Sequence, residues 1–84
     1  MNLKLRTLVF IDRLTFEVNE PQPCMIRAVL QDDQGSVCSA LETEMTQDRQ
    51  VFDLEGLSEL PYGEYTLVVS QGEDELKMRL VKRI

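Results

Sequence analysis

The 84-residue sequence predicts an all-β fold, an antiparallel β-sandwich of about seven strands. Three observations point to it. Apolar residues recur at every second position in nearly every segment, the spacing of a strand buried on one face. Turn-forming residues interrupt these runs about every 8–12 residues, the rhythm of a sandwich. The length suits one domain, because two halves of about 40 residues would each be too small to fold alone. Residues 1–84 are therefore read as a single domain.

The first strand is expected over Leu3–Ile11, where Leu3, Leu5, Thr7, Val9 and Ile11 alternate with Lys4, Arg6, Leu8 and Phe10. Leu14, Phe16 and Val18 mark the second strand, and Ile26, Ala28 and Leu30 the third. Between them, Glu20-Pro21-Gln22-Pro23 cannot join a central strand, since proline donates no ladder hydrogen bond. Asp32-Asp33-Gln34-Gly35 reads as a type I turn closed by a left-handed glycine, a hairpin loop. Val37, Ser39 and Leu41 form a weaker run. Residues 39–46 could also be read as helix, but the flanking strands would then lack partners, so strand is preferred. Thr46-Gln47-Asp48 turns into a short strand with Phe52 and Leu54 in phase. Leu60-Pro61-Tyr62-Gly63 is a further turn before Tyr65, Leu67 and Val69. Residues 70–74 make the last loop, and Leu76, Met78 and Leu80 the last inward-facing row. The core is expected to centre on Phe16, Ile26, Leu30, Phe52, Tyr65, Leu67 and Leu80.

Two cysteines in a small domain raise the question of a bridge. With Asp33 and Gln34 at the hairpin centre, Cys38 falls opposite Val29 and Cys24 opposite Thr43. That separates the sulfurs by about 16 Å along the strand, where bridged Cα atoms lie within about 7 Å. The parity also differs. Cys24 is expected buried on the Ile26 face and Cys38 half-exposed on the other, both as free, structural thiols.

The chemistry of catalysis is thinly represented. The chain has no histidine, which removes Ser-His and Cys-His pairs, the usual general base and the commonest zinc ligand. It has no phosphate-binding loop either, so the expectation is a non-enzyme without metal or cofactor. Asp32-Asp33 and Glu73-Asp74-Glu75 lack calcium-loop spacing and read as solvated hairpin tips. The net charge is -6, with 15 acids against 9 bases, and this acidic balance disfavours nucleic acid.

The charge is also segregated. Residues 1–13 and 77–84 hold seven bases against the single acid Asp12. Residues 14–76 hold 14 acids against Arg27 and Arg49. If the first and last strands lie side by side, a basic edge sits on an acidic body. Bases on an edge strand guard against aggregation, and they also suit docking of an acidic protein partner. The expected contact residues are Lys77, Arg79, Lys82 and Arg83, with Lys82 and Arg83 beginning a loose end at Ile84.

The order of features from Leu14 onward resembles the C-terminal sorting domains of the type IX secretion system of Bacteroidetes. The residues that carry the likeness are Asp32-Asp33-Gln34-Gly35, Phe52-Asp53-Leu54-Glu55-Gly56-Leu57, Leu60-Pro61-Tyr62-Gly63-Glu64-Tyr65, and the ending Val81-Lys82-Arg83. The chain is similar as well to small secreted immunoglobulin-like proteins of unknown function from gut Bacteroidetes. The resemblance implies an immunoglobulin-like sandwich and a sorting or attachment role, with secretion machinery or a surface component as partner. The alternative is a stand-alone secreted or cell-surface binding or adhesion module that uses loops at one end.

The longest apolar run, Leu8–Ile11, is far short of the roughly 20 residues of a spanning helix. The early bases Lys4 and Arg6 suit a signal peptide, but the apolar stretch behind them ends at Asp12-Arg13, and a signal needs about 7–15 apolar residues. The expected location is secreted or cell-surface if Met1 begins a piece excised from a longer precursor, and cytoplasmic otherwise.

Overall fold

The two-residue period becomes strand along most of the chain. The computed structural model describes residues 1–22 and 24–83; Pro23 of the proline loop and Ile84 of the expected loose end lie outside the described residues. Among the described residues there is no helix. The strands are β1 (Asn2–Leu5), β2 (Val9–Phe10), β3 (Leu14–Asn19), β4 (Met25–Gln31), β5 (Val37–Glu44), β6 (Arg49–Leu54), β7 (Gly63–Gln71) and β8 (Asp74–Lys82).

They form two sheets, one in the order β1-β3-β6 and a curled one in the order β2-β8-β7-β4-β5. Every pairing is antiparallel except β2 with β8, which is parallel. Both sheets feed one core: Leu14, Phe16, Val18, Phe52 and Leu54 from the first, and Phe10, Ile26, Leu30, Tyr65, Leu67, Val69 and Leu80 from the second. All seven residues expected at its centre are buried. Phe16 and Phe52, opposite each other in the β3–β6 ladder, stack with ring centroids 5.7 Å apart. β4 and β7 have neighbours on both sides, so Val29 and Val68 are covered on the outer face too.

The segment read as one long first strand is two strands in different sheets. The chain leaves the three-stranded sheet after Leu5 and enters the other at Val9. Leu3 and Leu5 pack on the core from one side, while Phe10 is buried from the other. The crossing reverses the parity, which leaves Val9 and Ile11 exposed.

The β4–β5 hairpin closes where expected. The Asp32 carboxylate accepts hydrogen bonds from the backbone N–H groups of Gln34 and Ser36, both at 2.9 Å, and Gly35 has φ 84°. Its register, however, is two residues longer than the turn arithmetic gives: Val29 faces Ala40, not Cys38. A bulge at Leu30/Gln31 leaves Cys38 between the paired residues Val37 and Ser39. That extra residue turns Cys38 toward the core, so both cysteines are half-buried and packed against it, and both are free. Residues 37–44, the main part of the stretch with a helical alternative, are strand.

Candidate functional site

The last strand is positioned by the tightest turn in the chain. Gln71 pairs with Asp74, which leaves only Gly72 and Glu73 in the loop. Gly72 has φ 58°, as a two-residue hairpin with glycine first requires. From there β8 follows β7 for its whole length, from Asp74 opposite Gln71 to Lys82 opposite Gly63.

Alternation along β8 sorts its side chains. Leu76 and Met78 are half-buried and Leu80 is buried, while Glu75, Lys77, Arg79 and Val81 are exposed. The expected phase therefore holds. Lys77 lies 3.6 Å from Glu75, with both side chains more than half exposed, so the pair contributes about 0–1 kcal/mol. Arg79 has no ion-pair partner among the described residues.

Lys82 departs from the expected loose, outward end. It is the last residue of β8, in phase with Leu80, and only 2% exposed. Its Nζ lies 5.3 Å from the centre of the Tyr62 ring and donates to the Arg83 carbonyl at 3.3 Å. A lysine stem covers apolar surface well, and its ammonium interacts favourably with an aromatic face. Arg83 is also held in place, since its N–H donates to the Phe10 carbonyl at 3.0 Å, while its side chain is exposed. Of the four expected contact bases, Lys77, Arg79 and Arg83 face solvent and Lys82 does not.

The basic edge is also narrower than expected. Of the two halves of the first strand, only β2 lies beside β8, and it covers only Val81 and Lys82. Lys4 belongs to the other sheet, and Arg13 stands 3.8 Å from Glu55. From Asp74 to Leu80 the outer edge of β8 has no neighbour among the described strands.

At the end of the molecule where β8 finishes, Asp32, Asp33 and Cys38 face Pro61, Tyr62 and Tyr65 across a shallow recess. Tyr62 is 63% exposed. The acids Asp32 and Glu75 belong to the hairpin and to β8, and no group of three or more potential metal ligands is gathered anywhere among the described residues. No helix among the described residues is long and apolar enough to cross a membrane.

No family model matches the chain. A search of curated proteins also finds no match.

Proposed function

We propose that the chain is a non-enzymatic immunoglobulin-like sandwich that acts by presenting its last strand to a protein partner, in the manner of a type IX sorting or attachment domain. The observation that carries this reading is the combination on β8 of a free edge with exposed Lys77 and Arg79, followed by exposed Arg83. An extended partner segment can add to such an edge through main-chain hydrogen bonds, and outward bases favour acidic neighbours.

Two features support the immunoglobulin-like part. The first strand divides between the sheets, and its second half runs parallel to the last strand. The Tyr65 hydroxyl hydrogen-bonds back to the Pro61 carbonyl, the arrangement of a tyrosine corner. A second reading, a stand-alone binding module, draws on the exposed Tyr62 beside the Asp32 hairpin.

The test is export of a reporter fused ahead of this domain, behind a signal peptide, in a host with the type IX system. The expected result is surface delivery by the wild type and loss of delivery on changing Lys77, Arg79 and Arg83 to glutamate. A wild-type fusion that never reaches the surface removes the sorting role and leaves the binding module.

A further inference from the structure

We propose that the free edge of β8 pairs with the same edge of a second copy, giving a two-fold dimer in which the five-stranded sheets join into one. Val81 and Arg83 donate their N–H groups to the Leu8 and Phe10 carbonyls in the neighbouring lane. Backbone groups alternate sides along a strand, so the N–H and C=O groups of Glu75, Lys77 and Arg79 point into that lane as well. Beside these three residues the lane holds no strand among those described.

The charges on this edge are self-complementary. At every second position the sequence reads Glu73, Glu75, Lys77, Arg79. Laid antiparallel against itself with Leu76 opposite Leu76, Glu75 of each strand faces Lys77 of the second copy, and the turn residue Glu73 comes next to Arg79. Directly opposed strand residues share a face of the sheet, so the Glu75–Lys77 pairs meet side chain to side chain on the exposed face. The two-fold axis makes each charge pair occur twice, as an isologous interface requires.

Two further features fit this register. Leu76 and Met78 are inward-facing yet only half-buried, because β8 lies near the sheet edge. The pairing lays Leu76 against its own copy at a non-hydrogen-bonded position, where side chains approach most closely. β2 fills the lane only beside Val81 and Lys82. In this register the second copy's strand turns away at its own Gly72-Glu73 loop, opposite Leu80 and Arg79, before it reaches β2. The segment without a neighbouring strand among those described is thus the segment that pairs. An interface of one strand per copy is small, so the dimer forms at high protein concentration.

This inference goes beyond the export reading and does not rest on it. Sedimentation of the full chain over a range of concentrations tests it. The wild type is expected to shift from monomer to dimer. Changing Lys77 and Arg79 to glutamate makes the edge wholly acidic, and changing Glu73 and Glu75 to lysine makes it wholly basic. Each variant alone should dimerise about tenfold more weakly or worse, and an equimolar mixture of the two should dimerise again. Circular dichroism of each variant checks that it is folded. In the wild-type dimer, amide exchange should slow at Glu75 and Lys77, and not at Leu76 and Met78, whose N–H groups already face β7. A wild type that stays monomeric throughout overturns the proposal and leaves the export assay standing. A dimer that survives unchanged in both charge variants overturns the pairing of these edges.

Discussion

The Tyr65 hydroxyl donates a 2.6 Å hydrogen bond to the carbonyl of Pro61, four residues earlier. The bond closes the Leu60–Gly63 corner onto the start of β7. The corner depends on Gly63, whose φ of 143° is rarely open to other residues. The Tyr65 ring is buried and meets Phe10 edge-on, with centroids 5.6 Å apart and planes at 71°. One side chain thus ties the corner, the core and the short parallel strand β2 together.

Tyr65→Phe keeps the ring and removes only the bond. It should lower stability by about 0.5–1.5 kcal/mol. Urea denaturation should show a lower midpoint with an unchanged slope. An unaltered midpoint would mean that the corner holds without the hydroxyl.

Phe16 and Leu67 are both fully buried, one from each sheet. Truncating either to alanine should cost about 2–5 kcal/mol, a large share of a small domain's stability. Calorimetry of each variant checks this, and a loss below about half a kcal/mol at either site contradicts a core shared by both sheets.

Lys82 and Lys77 separate two kinds of base on one strand. Lys77→Glu, at an exposed position, should change stability by less than about 0.5 kcal/mol. Lys82→Glu places a carboxylate where the stem and ammonium now pack under Tyr62, and should be clearly destabilising, whereas Lys82→Met should be tolerated. Equal melting temperatures for Lys77→Glu and Lys82→Glu would show that Lys82 is not held inward.

Stability should fall in alkali. Burial raises the Cys24 thiol, helped by the charge of Glu20, and raises the Cys38 thiol, helped by Asp32. Burial also raises the Tyr65 phenol, with smaller contributions from Cys38, Asp32 and Asp33. All three groups release protons more readily when unfolded. Their contribution is therefore complete below the ordinary thiol value of about 8.5, and declines as pH rises through the thiol and then the phenol range. Denaturant midpoints measured from neutral pH upward should fall. In a Cys24→Ser, Cys38→Ser variant, the fall should begin only in the phenol range. A flat profile in the parent would refute the thiol contribution.

Much of this was legible from local pattern. β3 follows its alternation residue by residue: Leu14, Phe16 and Val18 are buried, and Thr15, Glu17 and Asn19 are not. The outward phase of Lys77 and Arg79 was legible for the same reason. What escaped is non-local. Phe10 is buried because the chain changes sheets between Leu5 and Val9, which no two-residue period records. Cys38 turns inward because the Leu30/Gln31 bulge adds one residue to its strand. Met45 and Leu57, both buried, lie outside the strands and belong to no run. Lys82 reads as solvated because its type usually is, and the Tyr62 ring and the Arg83 carbonyl at its tip are what hold it inward.

The parallel pairing of β2 with β8 also decides how the domain bears mechanical load. Tension applied through Asn2 at one side and Arg83 at the other is borne first by β1 on β3, and then pulls β2 and β8 along their length in opposite directions. The bonds from Val81 to Leu8 (2.9 Å) and from Arg83 to Phe10 (3.0 Å) lie across that pull and must break together. A hairpin opened from its end, by contrast, yields one bond at a time. Arg83→Pro removes one of the two crossing donors at the strand's end. In single-molecule pulling it should lower the unfolding force markedly while equilibrium stability changes little. An unchanged force would mean that the load is carried elsewhere in the fold.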